Sequence, residues 1–168
     1  MKSLLKTLLY KIEGFKYRRG IKQALALNLR GEFRKDGLTL SKAGTSLAIE
    51  WHARDIHPWD RDRNLSPDER EHLFLQQCLA DTEDAISLLF AELPRVDHVD
   101  VCVLEPTSKK AIVAGSVSRA SLERSDRLSV GMRLRLSGVT FRLWGWHLET
   151  LELREGQYQA LSGFADYS

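Results

Sequence analysis

The stretch Ser66-Pro67-Asp68-Glu69 starts a helix in several ways at once. Serine just outside a helix accepts a bond from the unpaired backbone donors of the first turn. Proline at the first helical position needs no donor, and a glutamate three residues after the cap can return the bond. Asp68 and Glu69 also meet the positive end of the helix dipole. The next strong stop is Pro94. The spacing therefore predicts one long helix over about 66–93. Its buried stripe is Leu75, Leu79, Ile86, Leu89, Phe90 and Leu93, joined by Phe74, Cys78 and Ala85. The stripe thins at Asp81–Asp84, where such a helix is free to break.

Strand patterns lie on both sides of that helix. Residues 24–53 read as a meander: Leu25, Leu27 and Leu29 alternate with small or polar residues, and Lys35–Gly37 and Ala43–Gly44 are turn signals. In the third run Leu47, Ile49 and Trp51 are expected to face the core, with Glu50, His52 and Arg54 on the opposite face. After the helix, Val99, Val101 and Val103 alternate, "EPTSKK" turns, and Ala111–Val117 returns, which is a hairpin. Ser118–Arg124 can form a short helix. Leu128–Leu136 and Val139–Leu143 alternate again, predicting a second hairpin with Ser137-Gly138 as its loop. The rival is a short helix ending at Gly138 with Leu128, Met132 and Leu136 in one row. Strands and helices do not alternate as βα units, so the expected class is α+β: a largely antiparallel sheet of about 4–6 strands with the long helix packed on it.

Residues 2–19 form a further amphipathic helix, with Leu4, Leu5, Leu8, Leu9, Ile12 and Phe15 in one stripe and Gly20 as the stop. The expected organisation is a basic helix over 1–20 and a single α+β domain over 21–168. Charge is uneven. Residues 1–42 carry 11 Lys/Arg against three acids, a net of +8, and the remainder carries 14 against 20, a net of −6. The N-terminal stripe has three expected fates: docking on the chain's own sheet, pairing with a protein partner or its own copy as a homodimer, or lying on an anionic membrane surface.

Two regions carry dense chemistry. Glu50–Arg63, "EWHARDIHPWDRDR", holds Glu50, His52, Asp55 and His57, and continues to Asp62. Such groups can bind a divalent metal or exchange protons near neutral pH. The His-x4-His spacing crosses a strand end and Pro58, which is no standard ligand arrangement, and a structural loop is the plainer reading. The second predicted hairpin sets Arg133 opposite Arg142 and gathers Arg133, Arg135, Arg142, Trp144 and Trp146 on one basic, aromatic surface. Such a surface suits nucleic acid or other anions by stacking and charge neutralisation, unless acids such as Asp81, Glu83 or Asp84 neutralise the arginines. Asp100, Glu105 and Lys109 lack the Glu-x-Lys spacing of a strand-borne nuclease site. Gly115-Ser116 lacks the second glycine of a nucleophile elbow.

Cys78 and Cys102 form no CxxC pair and read as buried thiols; no metal site and no cofactor is expected. No apolar run reaches the length of a membrane span, and the N-terminus lacks a secretory signal pattern, so the expected location is cytoplasmic or peripheral to the membrane. Residue chemistry does not decide whether the chain is an enzyme. The expectation is a non-enzymatic binding or adaptor protein acting through a basic surface. Its alternative is a metal-dependent hydrolase or nuclease using Glu50, His52, Asp55 and His57.

Overall fold

The computed structural model describes residues 18–23, 32–35, 37–56, 60 and 64–153. Seven strands lie side by side in sequence order: β1 Glu32–Lys35, β2 Leu38–Ala43, β3 Ser46–His52, β4 His98–Leu104, β5 Ala111–Ser118, β6 Val139–Trp144 and β7 His147–Glu149. Strands β1–β6 make the main sheet, and β7 extends it as a short hairpin off β6. Five of the six neighbouring pairs are antiparallel. The exception is β3 with β4, which run parallel. A parallel pair cannot be joined by a tight turn, and the long helix α1, Pro67–Glu92, supplies the crossover. The α+β class, the antiparallel sheet and the single long helix on it are as the residue pattern implies.

The start of α1 follows from its capping chemistry. The Ser66 hydroxyl accepts from the Glu69 backbone N–H, and the Glu69 carboxylate accepts from the Ser66 backbone N–H at 2.8 Å. The helix is unbroken through Asp81–Asp84. That polar block is occupied by arginines from three other segments: Asp81 holds Arg54, Glu83 holds Arg133, and Asp84 lies 3.7 Å from Arg18. Thr82 is fully buried among them and donates its hydroxyl hydrogen to the Cys78 carbonyl one turn back.

Alternation sorts the sheet into two faces. Leu47, Ile49 and Trp51 of β3 and Val99, Val101 and Val103 of β4 are buried with Leu79, Ile86, Leu89 and Phe90 of α1. On the opposite face Ala48, Cys102, Leu104 and Ala111 form a smaller cluster covered by Leu151 and Leu153. The latter segment is tied to the sheet by the Leu151 N–H, which donates to the Ala111 carbonyl. Cys78 belongs to the first face and Cys102 to the second, so the two thiols are separated by the sheet.

Five local expectations are corrected or bounded. Residues 18–23 are helical, so Gly20 does not end that helix, and Ile21 is buried in the main core. The Leu4–Phe15 stripe and the Leu25–Leu29 alternation lie outside the described residues. Ser118–Arg124 forms turns rather than a helix. Most consequentially, the 128–136 segment is not a strand: Val130–Leu136 is a helix, α2, capped by the Ser129 hydroxyl, which accepts from the Met132 N–H. No helix among the described residues is long and apolar enough to cross a membrane.

Candidate functional site

Strand β3 places Glu50 and His52 on the face away from α1, as period-two geometry requires. Glu50 pairs in register with Cys102 on the neighbouring strand. Partial burial raises the Glu50 pKa above its usual 4.5, opposed by the positive charges of His52, Arg34 and Lys109. The His52 Nδ1 lies 2.8 Å from the Glu105 carbonyl oxygen; a carbonyl can only accept, so Nδ1 carries the hydrogen in this contact.

The described residues that follow in the expected cluster are engaged elsewhere. β3 ends at His52, and the chain then turns toward α1. Arg54 makes a bidentate pair with Asp81 at 2.7 and 3.1 Å rather than sharing the face of Glu50 and His52. The side chain of the buried Gln77 donates to the carbonyls of Arg54 and Asp55, holding both backbones against α1. The Asp55 carboxylate accepts from the Ile56 N–H at 2.8 Å. His57 and Asp62 lie outside the described residues. Among the described residues, no group of three or more His, Cys, Asp and Glu side chains is placed to hold a metal ion.

Burial pushes the Cys102 thiol up to about 12, with Glu50 adding to the shift, and Cys78 likewise to about 12. Neither is a thiolate nucleophile at neutral pH.

The second region is built differently from the expected hairpin. Two periods compete over 128–136, and the helix prevails. Its inner side is Val130 and Leu134, packed on the core, while Met132 and Leu136 point outward, 50% and 58% exposed. The hairpin would have buried Met132 and Leu136. Gly131 lets α2 approach, because a Cβ there would lie 3.3 Å from the Phe141 ring and 3.4 Å from Leu79. The return into β6 is tighter still. Gly138 has φ +104°, and a side chain at Gly115 of β5 would strike the Gly138 carbonyl and sit 2.7 Å from the Val139 Cα.

With α2 helical, Arg133 does not stand opposite Arg142. It pairs bidentately with Glu83 of α1 and donates to the carbonyls of Leu128 and Ser125, which fastens the 125–128 loop. The bond to Glu83 raises the Arg133 pKa. This is the neutralisation by helix acids foreseen for these arginines, at one of the three.

Arg135 stays exposed. Its guanidinium lies 4.4 Å from the Phe141 ring centroid, and it donates to the Phe141 carbonyl. Arg142 is 3.4 Å from Glu149 across the β6–β7 pair, with most of its side chain in water. The two-residue turn of that hairpin, Gly145-Trp146, has Gly145 at φ +61°. Trp144 is 78% exposed, and Trp146 packs on His72 of α1 with ring centroids 4.2 Å apart.

Met132, Leu136, Leu143, Trp144 and Trp146 are the exposed large hydrophobics among the described residues, and all lie within fifteen positions of sequence. Alternation hid Met132, Leu136 and Leu143, because as strand residues they belong to the core. The Ser129 cap and Gly138 were the local signals for the helix. No protein-family model matches the chain. No curated protein and no solved structure matches it either.

Proposed function

We propose that the protein is a non-enzymatic binding domain whose working surface is the end of the sheet formed by α2 and the β6–β7 hairpin. One observation carries the reading: among the described residues the exposed large apolar side chains are confined to α2 and the β6–β7 hairpin, the segments that also carry the exposed Arg135 and Arg142. Tryptophan, methionine and arginine are the residues that binding surfaces enrich, and a tryptophan left mostly in water is the kind of side chain that anchors a partner. Four exposed arginines, Arg124, Arg127, Arg135 and Arg142, stand in these segments and the loop leading into α2 against Glu123, Asp126 and Glu149, a small positive excess that favours an anionic partner.

The test is a titration of the whole chain with anionic probes of different classes: an oligothymidylate, a polyglutamate peptide and vesicles containing phosphatidylserine. Binding to at least one, weakened by salt and lost in the Trp144→Ala, Arg142→Glu double variant, is the expected result. The alternative, a metal-dependent hydrolase or nuclease, draws its support from the partly buried Glu50 beside His52. Metal-stimulated phosphodiester hydrolysis that disappears in Glu50→Gln and survives in the double variant would replace the binding reading.

A further inference from the structure

The short run of helix at residues 18–23 decides between the fates open to the N-terminal stripe. Its two sides differ. Ile21 is buried in the main core, and a Cβ at Gly20 would lie 3.3 Å from Leu38 of β2, so this side rests on the sheet. Arg18 lies 3.7 Å from Asp84 of α1. Arg19 and Lys22, on the other side, are exposed.

Any one turn fixes the rotation of a whole helix, because each residue advances it by about 100°. The expected stripe, Leu4, Leu5, Leu8, Leu9, Ile12 and Phe15, lies outside the described residues. Counting on from Phe15 by four and by seven reaches Arg19 and Lys22, which are on the exposed side. Ile21 falls about 160° around the helix from the centre of the stripe. One helix through residues 2–23 therefore cannot lay both Ile21 and the stripe on the chain's own sheet. With Ile21 in the core, the stripe is turned outward.

Charge selects what meets it. Residues 2–23 carry seven Lys and Arg against Glu13 alone. Leu5, Leu8, Ile12 and Phe15 have the spacing of a coiled-coil seam, and Lys11 and Lys16 then take the flanking positions. A second copy would set lysine against lysine across that seam, with no acid to relieve it. Leu4 and Leu9 also make the stripe wider than a seam, which suits a surface better than a single helix.

We infer that the N-terminal helix lies flat on an anionic lipid surface, with the Leu4–Phe15 stripe in the headgroup boundary and Lys11, Lys16, Arg19 and Lys22 against lipid phosphates. Each Lys or Arg brought to such a surface raises affinity by about fivefold at low salt, an effect that fades within a Debye length. Apolar insertion and charge together give a peripheral protein its attachment. This surface is separate from α2 and the β6–β7 hairpin, which lie at the opposite edge of the sheet from β1 and β2.

The experiment is co-sedimentation of the full chain with vesicles of phosphatidylcholine, or of phosphatidylcholine mixed with phosphatidylserine. Wild type should pellet with the mixed vesicles, remain in solution with the neutral ones, and release as salt rises. Leu8→Asp should lower partitioning by at least about tenfold, the effect of one large apolar side chain. Its melting temperature should match wild type, whereas Ile21→Asp, in the core, should melt early. Arg19→Ala with Lys22→Ala should lower partitioning by about twentyfold at low salt. The Trp144→Ala, Arg142→Glu double variant should pellet like wild type.

Early melting of Leu8→Asp, comparable to Ile21→Asp, would overturn the inference by placing the stripe in the core. So would failure of wild type to pellet with mixed vesicles. A dimer in light scattering without vesicles, lost in Leu8→Asp, would assign the stripe to a second copy instead. Pelleting that survives Leu8→Asp and disappears in the Trp144→Ala, Arg142→Glu variant would move attachment to the other edge of the sheet, and the N-terminal surface would fall.

Discussion

Arg119, just past the end of β5, closes the C-terminus of α1. The last turn of that helix contains no basic residue of its own. The Arg119 guanidinium donates to the Phe90 carbonyl at 2.9 Å, to Leu93 at 2.7 Å, and to Val96 through both Nε and an Nη at 3.1 and 2.8 Å. It also lies over the Phe90 ring, 4.7 Å from the centroid, while its backbone N–H donates to the Asp97 carbonyl.

Replacing Arg119 by alanine removes the whole cap at once. A hydrogen bond to a charged donor contributes about 1.5–3 kcal/mol net, and a cation at a helix C-terminus about 0.3–2 kcal/mol. These contributions are not additive, because one group makes them all and water reaches part of the vacated site. The expected loss is about 3 kcal/mol. For a chain of this size that lowers Tm by about 6–12 °C. Arg119→Lys keeps the charge but not the planar fork, and should lose about half as much. Chemical denaturation with an unchanged slope would show that native stability, not denatured-state compactness, has moved. An Arg119→Ala protein within about 0.5 kcal/mol of wild type, the scatter of ordinary surface changes, would refute the capping argument.

Other consequences follow from the same contacts. Gly115→Ala places a methyl group against the Gly138 carbonyl and should destabilise by more than about 3 kcal/mol or prevent folding, as a soluble-expression and melting comparison will show. Burial raises the Glu50 pKa above 4.5, so the native state binds the extra proton and stability falls as pH rises through that window. Glu50→Gln should accordingly melt higher than wild type at neutral pH, and that advantage should vanish below about pH 4, where the unfolded carboxyl is also protonated. A variant that melts lower at neutral pH would mean that Glu50 is held by its cationic neighbours more strongly than burial disfavours it. Both cysteines, buried and with pKa values near 12, should resist a thiol reagent at pH 8 in the native protein and react as two free thiols after denaturation. Rapid native labelling of Cys102 would show that the cover formed by Leu151 and Leu153 opens.

Where the chain's own neighbours settle a conformation, the sequence was sufficient. Ser66, Pro67 and Glu69 define the start of α1 within four residues, Pro94 marks its end, and alternation assigns Leu47, Ile49, Trp51, Val99, Val101 and Val103 to the buried face. Such signals act through one helical turn or one pleat, so a linear reading reaches them. The Asp81–Asp84 block could not be read this way, because its partners Arg54, Arg133 and Arg18 are distant in sequence. The same is true of Arg119 under α1.

The candidate surface was legible in part. The residue pattern marks Arg135, Arg142, Trp144 and Trp146 as surface, but it places Met132, Leu136 and Leu143 in the core and Arg133 on the surface. Only the tertiary structure decided that segment, because Leu128–Leu136 satisfies both periods over its short length. A short helix is not stable by itself. What selects it here is the burial of Leu134 in the main core, the close approach of Gly131 to Phe141 and Leu79, the backbone contact between Gly115 and Gly138, and the Arg133–Glu83 pair. Each joins residues the sequence keeps apart, and together they turn Met132 and Leu136 out of the core and into solvent.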